Sequence, residues 1–105
     1  MTHDEPIEVI VTAPDRDWLE DLCHQLVDAR LAASAHVVHA VTSIYPEARA
    51  FLRSRRALLD QLVAHVVERH PYEVPNVTAL PIVGGNPDYL VWLADETHSG
   101  QRPTR

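Results

Sequence analysis

The chain of 105 residues predicts an α+β domain with the element order β-α-β-β-α-β and a short closing helix. Three observations carry that prediction. Short β-branched runs, IEVIVTA at 7–13, AHVVHAVTSIY at 35–45 and NVTALPIV at 76–83, read as strands. Two longer segments repeat apolar residues at three-to-four spacing, which is the period of an amphipathic helix. Prolines and glycines punctuate the joints between these runs.

Ile7–Ala13 is short and β-branched, so it reads as a largely buried strand that stops at Pro14-Asp15. Trp18, Leu19, Leu22, Cys23, Leu26 and Leu31 then mark one stripe of a helix, with Asp15 as its N-cap. Ala35–Tyr45 is the second strand, ended by Pro46, and Ala48–Ser54 is the third. The short connection makes these two a hairpin. Leu58, Leu59, Leu62, Val63, Val66 and Val67 mark the second helix, which HPYEVP (70–75) terminates. Asn76–Val83 is the last strand, with Pro81 placing it at a sheet edge or at its own end. GGNP supplies a turn and an Asn-Pro helix start, and Asp88–Asp95 forms the final helix. The polar tail, 97–105, reads as flexible, leaving an ordered core of about 6–96 in a single domain.

Two βα units around a central hairpin form the ferredoxin-like pattern, an antiparallel sheet with both long helices on one face. Such a sheet leaves its second face bare, and bare faces normally alternate cleanly between apolar and polar residues. Val37 and Val38, then Ala40, Val41 and Ile44, instead put apolar groups on both faces. The second face therefore needs a partner, and another copy of the chain is the usual one.

Composition narrows the function. A net charge of −6 argues against nucleic acid and anionic membranes, which need a basic stripe. No run approaches the roughly 18–20 apolar residues of a membrane span, and the acidic start reads as no signal peptide. One cysteine, Cys23, allows no internal disulfide, so the expected setting is cytoplasmic. All nine basic residues are Arg, which removes lysine Schiff-base chemistry.

No catalytic constellation emerges, and the chain does not read as an enzyme. Ser34, Ser43, Thr12 and Cys23 sit in no nucleophile elbow, and GGNP is too short for a phosphate loop. His36 and His39 are three apart on a strand and point to opposite faces, while His65 and His70 straddle a helix end. In HPYEVP, two prolines stiffen a segment presenting His70, Tyr72 and Glu73. The motif suits a rigid helix exit as well as a held site. Tyr89 and Trp92 share a face of the last helix that suits the core, an oligomer contact or a pocket wall.

Taken together, VTAPD (11–15), LVDARLAAS (26–34), VTSIY (41–45), HPYEVPNVTALPI (70–82) and GNPDYLVWL (85–93) resemble the CutA family of divalent-cation tolerance proteins. The resemblance spans most of 7–95 and implies a PII-like homotrimer with its three sheets packed together. It implies a role in tolerance of copper and other divalent metals, and no catalytic activity. The matching positions are Thr12, Ser43, Tyr45, His70, Tyr72, Glu73 and Trp92, expected to line an inter-subunit cleft open to small ligands. His70 and Glu73 are the expected ligands for a divalent cation, copper or zinc. A PII-like sensor of a small metabolite or anion, and a purely structural trimer, are the alternative readings.

Three positions depart from the family pattern. Ser34 stands where relatives often carry Cys, and a hydroxyl is a poor ligand for Cu(I). Pro46 follows Tyr45 at once, so the long charged hairpin arm of the family is expected to be shortened. Arg53-Ser54 replaces a Lys-Thr pair, keeping the charge but not its point-like form.

Overall fold

The run at 7–13 forms β1 (Pro6–Ala13), an inner strand of a four-stranded antiparallel sheet. The structure, a computed structural model, describes residues 5–39 and 44–98. After β1 come α1 (Arg16–Asp28), β2 (Ser34–Val38) and β3 (Ala48–Arg55). A single 3-10 turn at Arg56–Leu58 leads into α2 (Leu59–Arg69), followed by β4 (Val77–Pro81) and α3 (Pro87–Glu96). The strand order is β2-β3-β1-β4, which is the ferredoxin-like arrangement expected from the element order.

Alternation along the strands sorts the two faces. Ile7, Val9, Val11 and Ala13 of β1 are buried, as are Ala48, Ala50 and Leu52 of β3. The register sets Val9 opposite Leu52, and Leu52 opposite Ala35 of β2. Leu19, Leu22 and Leu26 from α1, with Leu62 and Val66 from α2, complete this core. Each fully buried Leu or Val contributes about 1.5–3 kcal/mol through the surface it removes from water.

Local chemistry explains the helix ends. Asp15 caps α1, accepting the Trp18 N–H at 3.1 Å. Asn86 caps α3 by accepting the Asp88 N–H, with Pro87 in the first turn. After α1 the chain turns through Arg30 at φ 60°, a left-handed position usually given to glycine. The bonds Arg30 N–H to Val27 O and Leu31 N–H to Leu26 O close that turn. The Arg30 guanidinium compensates by reaching the carbonyls of Glu96 and His98, at 3.3 and 3.1 Å, and so ties down the end of α3.

The second strand is shorter than its composition suggests. β2 ends at Val38, and Ile44 and Tyr45 lie in a bend rather than in a strand; residues 40–43 fall outside the described set. The β2–β3 register runs from Ser34 opposite Arg53 to Val38 opposite Arg49 and ends there. Pro46 has no N–H to give to a ladder, in keeping with β3 beginning only at Ala48.

The second face carries Glu8 and Ile10 of β1, Phe51 and Arg53 of β3, His36 and Val38 of β2, and Thr78 and Leu80 of β4. Arg53 pairs with Glu8 at 3.1 Å, and its guanidinium sits 5.9 Å from the Tyr89 ring. Arg55 donates to the hydroxyl and carbonyl of Thr97, at 2.8 and 3.1 Å. These contacts bring α3 across one end of the second face. On the two edge strands of this face Val38 of β2 and Leu80 of β4 stay exposed, at 43% and 52%.

Candidate functional site

HPYEVP leaves α2 at the end of the sheet where β1 finishes. His70 is the C-cap of α2, with extended backbone at φ −70° and ψ 140°, as expected before a proline. Its backbone N–H still closes the last helical turn onto Val66 O at 2.9 Å. The side chain folds back under the segment and is only 8% exposed.

Both ring nitrogens of His70 are in use. Nε2 donates to the Thr12 carbonyl at 2.7 Å, and Nδ1 accepts the Tyr72 N–H at 3.0 Å. A carbonyl demands a donor and an N–H demands an acceptor, so this pairing selects the tautomer with its proton on Nε2. The ring lies edge-on to Trp18, with centroids 5.0 Å apart, and tilted against Tyr72 at 4.9 Å. His70 is thus a brace between β1, α1 and its own loop, and as folded it has no lone pair to give a metal.

The brace leaves Tyr72 and Glu73 outward and exposed, on a backbone held by Pro71, Pro75 and the His70 ring. Thr12 is buried beside them, with its N–H 3.4 Å from Asn76 O. Tyr45, 73% exposed, precedes β3 at this same end, since Ala48 opposes Ala13. Ser43 lies outside the described residues.

Trp92 does not join this group within one chain. It lines a cavity of about 550 Å3 along β2, together with Cys23, Ser34 and Val37 and none of the other expected site residues. Its ring is tilted on Tyr89 at 5.6 Å. A pocket wall was one of three readings open to that aromatic pair; the run of small residues Ala33-Ser34-Ala35 is the sequence signal that could have singled it out.

Two groups away from the HPYEVP segment have clearly shifted acidities. Burial, and after it the Glu20 carboxylate, push the Cys23 thiol from 9.0 up to about 11. The folded chain therefore resists alkylation by iodoacetamide at pH 8, whereas chain unfolded in urea reacts at an ordinary rate; equal rates would contradict the burial of the thiol. The same shift means that stability held below pH 9 is lost as pH rises toward about 11, because the unfolded thiol ionises first. His65, hydrogen-bonded to Gln25 at 3.0 Å, is held below its ordinary value by burial first and Arg69 second, against the opposing pull of Glu68. Among the described residues, no group of three or more His, Cys, Asp and Glu is placed to hold a metal ion. No described helix is long and apolar enough to cross a membrane.

Known proteins share this architecture and sequence. The family model for the CutA1 divalent ion tolerance protein matches residues 7–96. The divalent-cation tolerance protein CutA of Thermus thermophilus is 35% identical over 98 residues, covering 85% of this chain and 95% of the relative. The chloroplastic protein CutA of Arabidopsis thaliana is 36% identical over 102 residues, 89% of this chain and 56% of the relative. The chain thus spans little more than half the length of the plant relatives that it matches. The crystal structure of CutA1 from Oryza sativa superposes with a TM-score of 0.87 at 35% identity, covering 95% of this chain and 100% of that one. The Thermus thermophilus structure gives 0.84 at 32% identity, covering 89% and 99%. By fold and by sequence, the chain belongs to the CutA1 divalent ion tolerance family.

Proposed function

We propose that this protein serves divalent-metal tolerance as a homotrimeric binding module, not as a catalyst. A small ligand or a divalent cation such as copper or zinc is held in a cleft between copies. Thr12, Ser43, Tyr45, His70, Tyr72 and Glu73 of one copy face Trp92 of the next. The observation that carries this reading is the His70 brace, which fixes the backbone from which Tyr72 and Glu73 project. The spread of the matching residues supports a shared site, since Trp92 stands apart from the others within one chain. The apolar remainder of the second face supports assembly.

Glu73 is the ligand available to a cation in the fold as it stands. Using His70 as well requires Nδ1 to release the Tyr72 amide. Binding through such groups weakens toward acid, because the ligands must be deprotonated. The occupied nitrogens of His70 favour a second reading, in which the shared residues chiefly hold the fold and the assembly together.

Calorimetric titration of copper and zinc separates these readings. The wild type is expected to bind, Glu73→Ala to bind more weakly, and the His70→Ala/Glu73→Ala pair not at all. Absence of heat for every metal in the wild type would overturn the cation reading. Full binding by the pair would place the site elsewhere, and dissociation of the pair on a sizing column would favour the structural reading.

A further inference from the structure

The cavity along β2 is not explained by the cleft, with which it shares only Trp92. Its volume of about 550 Å3 lies within the roughly 300–1,000 Å3 typical of small-molecule sites. β2 is an edge strand, so this groove opens beside the sheet, between α1 and Trp92. The small side chains of Ala33, Ser34 and Ala35 leave the space open along it.

Its chemistry is specific. The Ser34 Oγ is buried and has no hydrogen-bond partner among the described residues. Buried hydroxyls ordinarily pair, and one on a cavity wall is placed to pair with a ligand atom. Trp92 supplies an aromatic surface, against which flat rings and cations both bind well. From α1 comes Glu20, the one carboxylate in the lining, and no Arg is present there. Arg16 approaches Glu20 only at 3.8 Å with both side chains about half exposed, so the carboxylate remains able to take another partner. The Glu20 charge is already felt inside, since it helps to hold the Cys23 thiol up. An anion would meet that charge with His24 as the one lining side chain able to offset it. A metal ion lacks the three ligand side chains it needs among the described residues.

We propose that this cavity binds a small flat ring carrying a protonated amine. The ring lies against Trp92, the ammonium faces Glu20, and a polar atom of the ligand pairs with the Ser34 hydroxyl. The site does not depend on the cleft binding a cation.

Tryptamine is a suitable probe, with indole-3-acetate as the same ring of opposite charge and butylamine as the charge without a ring. Each is titrated into nitrogen-15-labelled protein while the Trp92 indole N–H and the Ala33–Val37 amides are followed. Tryptamine is expected to shift these signals saturably, and indole-3-acetate and butylamine to bind at least about tenfold more weakly. Glu20→Gln, a surface change on α1 that the fold tolerates, should weaken tryptamine about fivefold and leave indole-3-acetate no weaker. Ser34→Ala should weaken it about threefold. Equal binding of the two indoles, or tryptamine binding unchanged in Glu20→Gln, would overturn the proposal. So would unmoved signals at about 10 mM tryptamine. If those amides instead respond to protein concentration alone, a second copy occupies the groove and the proposal falls.

Discussion

Replacing His70 with alanine is expected to cost about 3 kcal/mol of stability, a large fraction of what a domain of this size holds. The change removes two hydrogen bonds and strands both partners, the Thr12 carbonyl and the Tyr72 N–H. A buried group left unpaired costs about 1–3 kcal/mol, more than the net value of the bond itself. The space between Trp18 and Tyr72 adds a packing loss. Two further variants divide the total. Asparagine keeps a short acceptor that can take the Tyr72 amide, in the manner of an Asx turn, but loses Thr12. Glutamine keeps a donor that reaches toward Thr12 but loses the local bond. Each should recover part of the loss, and urea unfolding at equal protein concentration measures it, since assembly adds a concentration-dependent term. A loss below about 1 kcal/mol for alanine would show that the brace does little to hold the segment.

The brace also shows where sequence reasoning stops. That HPYEVP ends a helix was legible, because a proline after His70 forbids the helical conformation there. That the imidazole is structural was not, since its partner Thr12 lies 58 residues away and only the sheet register brings β1 to it. Local signals read well elsewhere: Asp15 and Asn86 cap the helices their positions suggest. The reading of Ile44 and Tyr45 as strand misled, because strand length depends on a partner, and both lie in a bend before Pro46. Arg30 in a left-handed turn carries no sequence mark, because its compensation comes from the end of α3. The cavity beside β2 was hidden for the same reason. Its walls come from α1, β2 and α3, and only the passage of α3 onto the second face brings Trp92 to the sheet edge.

The apolar remainder of that second face leads to the other large effect. Phe51→Asp is expected to convert the proposed trimer to single chains, with light scattering giving a mass near the 11.8 kDa of one chain rather than three times that. Phe51 sits in the middle of β3, opposite Ile10 on β1 and His36 on β2, and all three point away from the helices. In a lone chain the position is only partly buried, so a carboxylate there keeps its water and the domain folds. Between packed sheets the same carboxylate must be desolvated once in each copy, at a cost of several kcal/mol per ion that Arg49 and Arg53, two residues away on the same face of β3, offset only in part. That exceeds what a modest interface holds in reserve after the entropy of association. Val67→Asp on α2, exposed on the helical layer, is the matched control and should leave the mass unchanged. If Phe51→Asp also kept the mass of three chains, this face would not be the interface, and Trp92 of one copy would have to reach the Tyr72–Glu73 segment of the next by another surface. If it yields folded single chains that no longer bind a metal or small ligand at the cleft, assembly and binding are one property of the sheet.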